Sequence, residues 1–233
     1  MTWTLVPAAG SGRRFGGEVP KQYLRAAGKP LIEHALEALL SHPGVDGAVV
    51  ALAEGDARWP GWTSLHGKPV ITCSGGGERA DSVLAALLAL PAGTTDNELL
   101  LVHDAARPNL HATDIAALIA AANGCADGAI LAAPVRDTLK RAGAGNPDGN
   151  PCIAATESRD GLWRALTPQA FRRDLLRRAL ERARADGLVA TDEAMAVERL
   201  GRHPALVEGR EDNLKVTTPA DLALAEFLLA RHA

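Results

Sequence analysis

The chain has 233 residues, 47% of them hydrophobic, enough for one sizeable core or two small ones. A formal charge of −3 supplies no basic field and argues against nucleic acid as a partner. Three scattered cysteines, Cys73, Cys125 and Cys152, show no C-x-x-C spacing, which argues against a disulfide framework or structural zinc and fits a reducing, cytoplasmic setting.

The start, MTWTLVPAAG, has no basic region ahead of a long apolar run, and no later run reaches about 18 apolar residues, so neither signal peptide nor membrane span is expected. Short apolar runs alternate with segments of helical period, the pattern of an α/β fold with a mostly parallel sheet covered by helices. Strands are expected near 3–8, 46–53, 69–73, 98–103, 128–134 and 204–208. LIEHALEALL (31–40) and DSVLAALLAL (81–90) carry leucines three and four apart, and Thr113 is expected to cap DIAALIAAA. In FRRDLLRRALERARAD (171–186) arginines alternate with apolar residues at helical spacing, which reads as a solvated helix face and not an RNA-binding one. The last helix has Thr218 as N-cap, Pro219 at its first position and Asp221 as capping-box acid.

Ligands of such sheets bind beyond the carboxyl ends of the strands, and three polar loops fall there. The first, VPAAGSGRRFG (6–16), fails both standard phosphate-loop spacings: Phe15 stands where G-x-G-x-x-G needs its third glycine, and Gly16 is followed by Gly17 and Glu18, not by Lys-Ser/Thr. It still combines open backbone N–H groups with Arg13, Arg14 and, further on, Lys21, which suits an anion; a plain strand-to-helix turn with a basic rim is the alternative. The second, SGGGERADS (74–82), offers unobstructed backbone and a Ser82 hydroxyl for a base edge or ribose, or else a flexible turn whose Glu78 and Asp81 start the next helix. The third, HDAARP (103–108), puts Asp104 where a carboxylate can hold a ribose hydroxyl or a divalent cation, and adds the guanidinium fork of Arg107; His103 reads as a packed strand-end histidine. Between Arg136 and Gly161 two extended polar pieces flank GAGNPDGN, a hairpin with too little apolar surface to stand alone, or a surface loop.

Taken together, VPAAGSGRRF, PKQYL, GGGERADSV, LVHDAARP, LAAPVRDTLKR, LWRALTPQAF, TDEA and VEGREDNLKVTTPADLALAE resemble the 2-C-methyl-D-erythritol 4-phosphate cytidylyltransferases from about Thr4 to Arg231. The resemblance implies a Rossmann-like nucleotidyltransferase three-layer fold in one domain, 1–233, with helices on both sheet faces and 136–161 as a protruding β-arm for homodimerisation. It implies cytidylyl transfer from CTP to methylerythritol 4-phosphate with Mg²⁺. Arg14 and Lys21 match the stabilisers of the reacting phosphates. Ala8, Ala9, Gly10, Gly76, Gly77, Ser82, Asp104 and Ala105 match the nucleotide pocket. Asp104, Arg107, Thr138, Arg159, Thr167 and Lys215 match the second-substrate site, with Thr138 and Arg159 donated across the dimer; Asp104 is the possible metal ligand, the ion otherwise being held by CTP phosphates. Gly77 departs from an expected acidic residue, and the arm tip is longer than usual. A ribitol 5-phosphate cytidylyltransferase and a non-catalytic nucleotide-binding subunit stay open as alternatives, whereas a nicotinamide enzyme fails on the glycine spacing.

Overall fold

The computed structural model describes residues 1–10, 19–145 and 149–231. In chain order it comprises β1 (Thr2–Ala8), a 3-10 turn at Lys21–Tyr23, β2 (Arg25–Ala26), β3 (Lys29–Pro30), α1 (Leu31–Ser41), β4 (Gly47–Leu52), β5 (Ser64–Leu65), β6 (Lys68–Ser74), α2 (Arg79–Leu88) and β7 (Leu99–Val102). There follow α3 (Ala112–Gly124), β8 (Ala129–Pro134), β9 (Leu139–Gly145), β10 (Pro151–Glu157), β11 (Trp163–Arg172), α4 (Arg173–Ala185), α5 (Glu193–Glu198), β12 (Ala205–Glu208) and α6 (Pro219–Ala230).

The main sheet runs β12-β8-β11-β7-β1-β4-β6-β5. Its β7-β1-β4-β6 segment is parallel, and β12 pairs parallel with β8. Strands buried on both faces read as unbroken apolar runs, as GAVVAL in β4 and LLLV in β7 do, because each residue meets one core or the other. Leu99 and Leu101 of β7 join α1 and α3 in one core, while Leu100 and Val102 join α2, α4 and α5 in the other. Each fully buried leucine of this kind contributes about 2 kcal/mol relative to exposure. Helices therefore cover both faces, as expected for the three-layer fold.

All six expected sheet strands are present, and α1, α2 and α4 fall on the expected segments. Leu175, Leu176, Ala179, Leu180 and Ala183 turn the inner face of α4 to the core, and Arg177, Arg178 and Arg182 pair with carboxylates on the solvated side. The Thr218–Asp221 capping box with Pro219 opens α6. Thr113 is not the cap of α3: the N-cap is His111, two residues earlier and with no capping side chain, so Thr113 is already helical.

β11 crosses between β7 and β8 and is antiparallel to both. A register shift between Ala165 and Gln169 accommodates Pro168, which has no N–H for a regular ladder. Among the described residues the β9/β10 hairpin pairs only with itself, and both strands are exposed along almost their whole length. Among the described residues no helix is long and apolar enough to cross a membrane.

Candidate active site

The carboxyl ends of β1, β6 and β7 converge on a cleft of about 630 Å³. β1 delivers Ala8, Ala9 and Gly10 to its floor. The turn at Lys21–Tyr23 is pinned beside them: the buried Gln22 amide donates to the Ala8 carbonyl at 2.7 Å, and the Tyr23 hydroxyl donates to Asp56 at 2.8 Å. Lys21, between these anchors and the preceding Pro20, is thereby held at the cleft.

The loop after β6 is shaped by its own polar groups. The Ser82 hydroxyl, buried at the first turn of α2, accepts from the Gly76 N–H at 3.1 Å, and Glu78 with Asp81 forms a capping box. A Cβ on Gly76 would stand 2.3 Å from the Asp81 Cβ, so only glycine fits there, whereas a Cβ on Gly77 meets nothing within 4 Å and would enter open space. Gly76 is thus required by packing. At Gly77 the side chain is simply absent.

The loop after β7 carries the charge. Asp104 is buried, yet Arg79 Nε lies 2.9 Å from Oδ1, Lys215 Nζ 2.8 Å from Oδ2, and Arg107 Nε 3.5 Å from Oδ2. Burial alone would raise its pKa; the three cations overcome that and hold the carboxyl far below the ordinary range. Arg79 shows the converse: burial would favour its neutral form, but Glu193 and Asp104 drive its pKa upward.

A second cavity of about 510 Å³ adjoins the first, lined in part by Arg107, Thr167, Gln169 and Asp192. Arg79, Asp104 and Lys215 line both. Lys215 is brought there by its neighbours: Asn213 is fully buried and donates to the Thr167 carbonyl at 2.7 Å, and the Val216 N–H donates to the Ala106 carbonyl at 2.9 Å. Thr167 Oγ1 in turn accepts from the Asp104 N–H at 3.1 Å and bonds His103 Nδ1 at 2.9 Å. Arg107 donates to the Asn213 carbonyl at 2.7 Å, so its fork fastens the wall as well as lining it. His103 is wholly enclosed, and burial lowers its pKa to about 4, which is the packed strand-end histidine expected.

The sequence-derived residues Ala8, Ala9, Gly10, Gly76, Gly77, Ser82, Asp104 and Ala105 all line the first cleft with Lys21 and Lys215. Asp104, Arg107, Thr167 and Lys215 line the second. Thr138 and Arg159 line neither and are exposed at the base of the hairpin, where Arg159 donates to the Arg136 carbonyl. Arg14 lies outside the described residues. The segments GGGERADSV and TDEA stand out in the sequence, but a role for Arg79 or Glu193 does not, because their pairing joins residues 114 positions apart. Locally each is only one charged residue beside another, Arg79 next to Glu78 and Glu193 next to Asp192. Among the described residues no group of three or more His, Cys, Asp or Glu side chains is arranged to hold a metal ion.

A mostly parallel sheet flanked by helices, with glycine-lined backbone and convergent cations at its carboxyl edge, defines an α/β protein of the nucleotidyltransferase class. Comparison with known proteins makes this specific. The family model for 2-C-methyl-D-erythritol 4-phosphate cytidylyltransferase matches residues 2–231, and the chain belongs to that family. It is 63% identical over 230 residues to the 2-C-methyl-D-erythritol 4-phosphate cytidylyltransferase of Xanthomonas campestris pv. campestris (strain 8004), covering 99% of this chain and 85% of the relative. It is 59% identical over 231 residues to the protein of that name from Stenotrophomonas maltophilia (strain K279a), covering 99% and 97%. The crystal structure of 2-C-methyl-D-erythritol 4-phosphate cytidylyltransferase from Thermus thermophilus superposes with a TM-score of 0.76 at 35% identity, covering 98% of each chain.

Proposed function

We propose that this chain transfers the cytidylyl group of CTP to 2-C-methyl-D-erythritol 4-phosphate, giving 4-diphosphocytidyl-2-C-methyl-D-erythritol and pyrophosphate for isoprenoid precursor synthesis. The observation that carries the residue-level reading is the wall shared by two cavities, formed by Arg79, Asp104 and Lys215. CTP occupies the backbone-lined cleft, with cytosine and ribose against Ala8, Ala9, Gly10, Gly76, Gly77 and Ser82, and with Asp104 and Ala105 bordering the ribose. Methylerythritol phosphate occupies the neighbouring cavity, its phosphate oriented by Lys215 with Arg107 and Thr167 behind it.

An oxygen of that phosphate attacks the α-phosphorus in line; a P–O bond forms as the bond to departing pyrophosphate breaks. A phosphate monoester is already ionised at neutral pH, so the attack needs no general base. What it needs is alignment of two anions and neutralisation of the charge that develops. Lys21, beside the first strand's end, acts on the α-phosphate and pyrophosphate, and Arg14 has the same role by resemblance.

Asp104 has both oxygens engaged by Arg79 and Lys215, so it does not fit as the anchor of a cation bound by protein alone. A divalent ion held mainly by the CTP phosphates would supply further neutralisation of the phosphate charge.

The site is completed by a second copy of the chain. The hairpin is exposed along almost its whole length and buries too little apolar surface to be stable by itself, and Thr138 and Arg159 stand at its base outside both cavities. Exchange of the arms in a homodimer carries each copy's Thr138 and Arg159 to the other's methylerythritol phosphate.

The test is pyrophosphate release with Mg²⁺ and CTP, offering methylerythritol 4-phosphate and ribitol 5-phosphate in parallel and ATP, GTP and UTP as nucleotide controls. Turnover confined to CTP with methylerythritol 4-phosphate is expected. Preference for ribitol phosphate would discard the second-substrate assignment, and silence from folded protein would favour a non-catalytic subunit.

A further inference from the structure

Glu193 is a carboxylate with no access to either cavity. Its side chain is 1% exposed, yet its oxygens accept from Arg79 Nη1 at 2.5 Å and Nη2 at 3.1 Å. Arg79 then donates from Nε to Asp104 Oδ1 at 2.9 Å, and Asp104 presents Oδ2 to Lys215 Nζ at 2.8 Å. Four side chains from α5, α2, the loop after β7 and the segment before α6 thus form one line of alternating charge that ends at the wall between the two cavities.

Stability alone is a poor reason for the first pair. Taking both charges out of water costs about as much as their attraction returns, and well-packed apolar residues would do as well. Direction is what the pair supplies. A guanidinium is a rigid planar fork, so once Glu193 holds Nη1 and Nη2, Nε points one way, at Asp104.

We propose that the Glu193–Arg79 pair is a positioning device that fixes Asp104 and, through it, the ammonium of Lys215. This rests on the reading above, in which Lys215 orients the second substrate's phosphate. Arg79 and Glu193 are positioning residues here: losing the fork lets Asp104 turn, Lys215 loses its anchor, and KM for methylerythritol phosphate rises more than KM for CTP, which Asp104 touches only at the ribose.

A double-mutant cycle in kcat/KM for methylerythritol 4-phosphate, with the full-length enzyme at saturating CTP, tests this. Glu193→Gln keeps the volume and removes the charge; a loss of about tenfold or more is expected on the wild-type background and less than about twofold on Lys215→Ala. Equal losses on both backgrounds would overturn the relay and leave Glu193 a structural residue. If Lys215→Ala itself changed nothing, the Lys215 assignment would fall and the relay to it with that assignment. Arg79→Lys runs the same cycle with the same outcomes should Glu193→Gln not fold, since an ammonium keeps the charge but cannot serve as a two-edged fork.

Discussion

The ammonium of Lys215 stands 2.8 Å from Oδ2 of Asp104, joining the loop after β7 to the chain just ahead of α6. The carboxylate keeps a lysine at the mouth of two cavities, and the lysine helps a buried carboxylate stay ionised. Without Asp104 the Lys215 ammonium would lose this ion pair, whereas Asp104 without Lys215 would keep Arg79 and Arg107.

Charge supplied to the reacting phosphates matters in the transition state more than in binding. Lys21→Ala should therefore lower kcat by roughly 10² or more with the fold intact, and Arg14→Ala likewise. Steady-state kinetics beside a circular-dichroism melt checks this, and wild-type turnover in either variant would refute its role.

Neighbouring glycines should respond differently. Gly76→Ala drives a Cβ into Asp81, so a destabilisation of about 1–3 kcal/mol and a raised KM for CTP are expected. Gly77→Ala meets nothing within 4 Å and should stay within about 0.5 kcal/mol of wild type. Urea unfolding of the two variants separates packing from mere proximity to the cleft.

His103 links stability to pH. Burial lowers its folded pKa to about 4, below the unfolded value of about 6.5, so the unfolded chain binds the extra proton between them. This contribution is fully present above about pH 6.5 and is lost as pH falls toward 4, up to roughly 3 kcal/mol in all. Denaturant midpoints measured across that range should fall with acid. His103→Gln should flatten the dependence.

At α6, Asp221 N–H donates to Thr218 Oγ1 at 3.3 Å, and the Asp221 carboxylate accepts from the Thr218 N–H at 2.8 Å. Thr218→Ala should cost about 1 kcal/mol, a fall in Tm of a few degrees for a chain of this length, without changing KM for CTP.

Arm exchange makes a prediction that no single-chain site does. Lys215→Ala loses a residue of its own site, whereas Arg159→Ala loses one given to the other copy. Mixing the two impaired variants under exchange conditions should restore about a quarter of the wild-type sites, because half the dimers are mixed and each has one intact site. Activity of a mixture shown to exchange that stayed at the level of the separate variants would refute the swap.

Much of the sheet was legible in the sequence because burial on both faces imposes an unbroken apolar run, as in LLLV (99–102) and GAVVAL (47–52), whatever the neighbours are. The capping box of α6 was legible because its partners are three residues apart, and the cleft loops because glycines and charges follow apolar runs directly. β11 was not, since Thr167, Pro168 and Gln169 look wrong for a central strand until the bulge and the bonds to Asp104, Asn213 and Asp192 are in place. Thr113 misled because a good capping residue does not by itself fix where a helix starts: α3 begins at Ala112, with Ala112 and Thr113 both exposed. The sequence by itself determined the α/β architecture, the loops at its carboxyl edge and the family. Only the tertiary structure decided that Glu193, Arg79, Asp104 and Lys215 form one line, because a buried charge takes its partner from whatever the fold brings within about 3 Å, and separation along the chain carries no record of that.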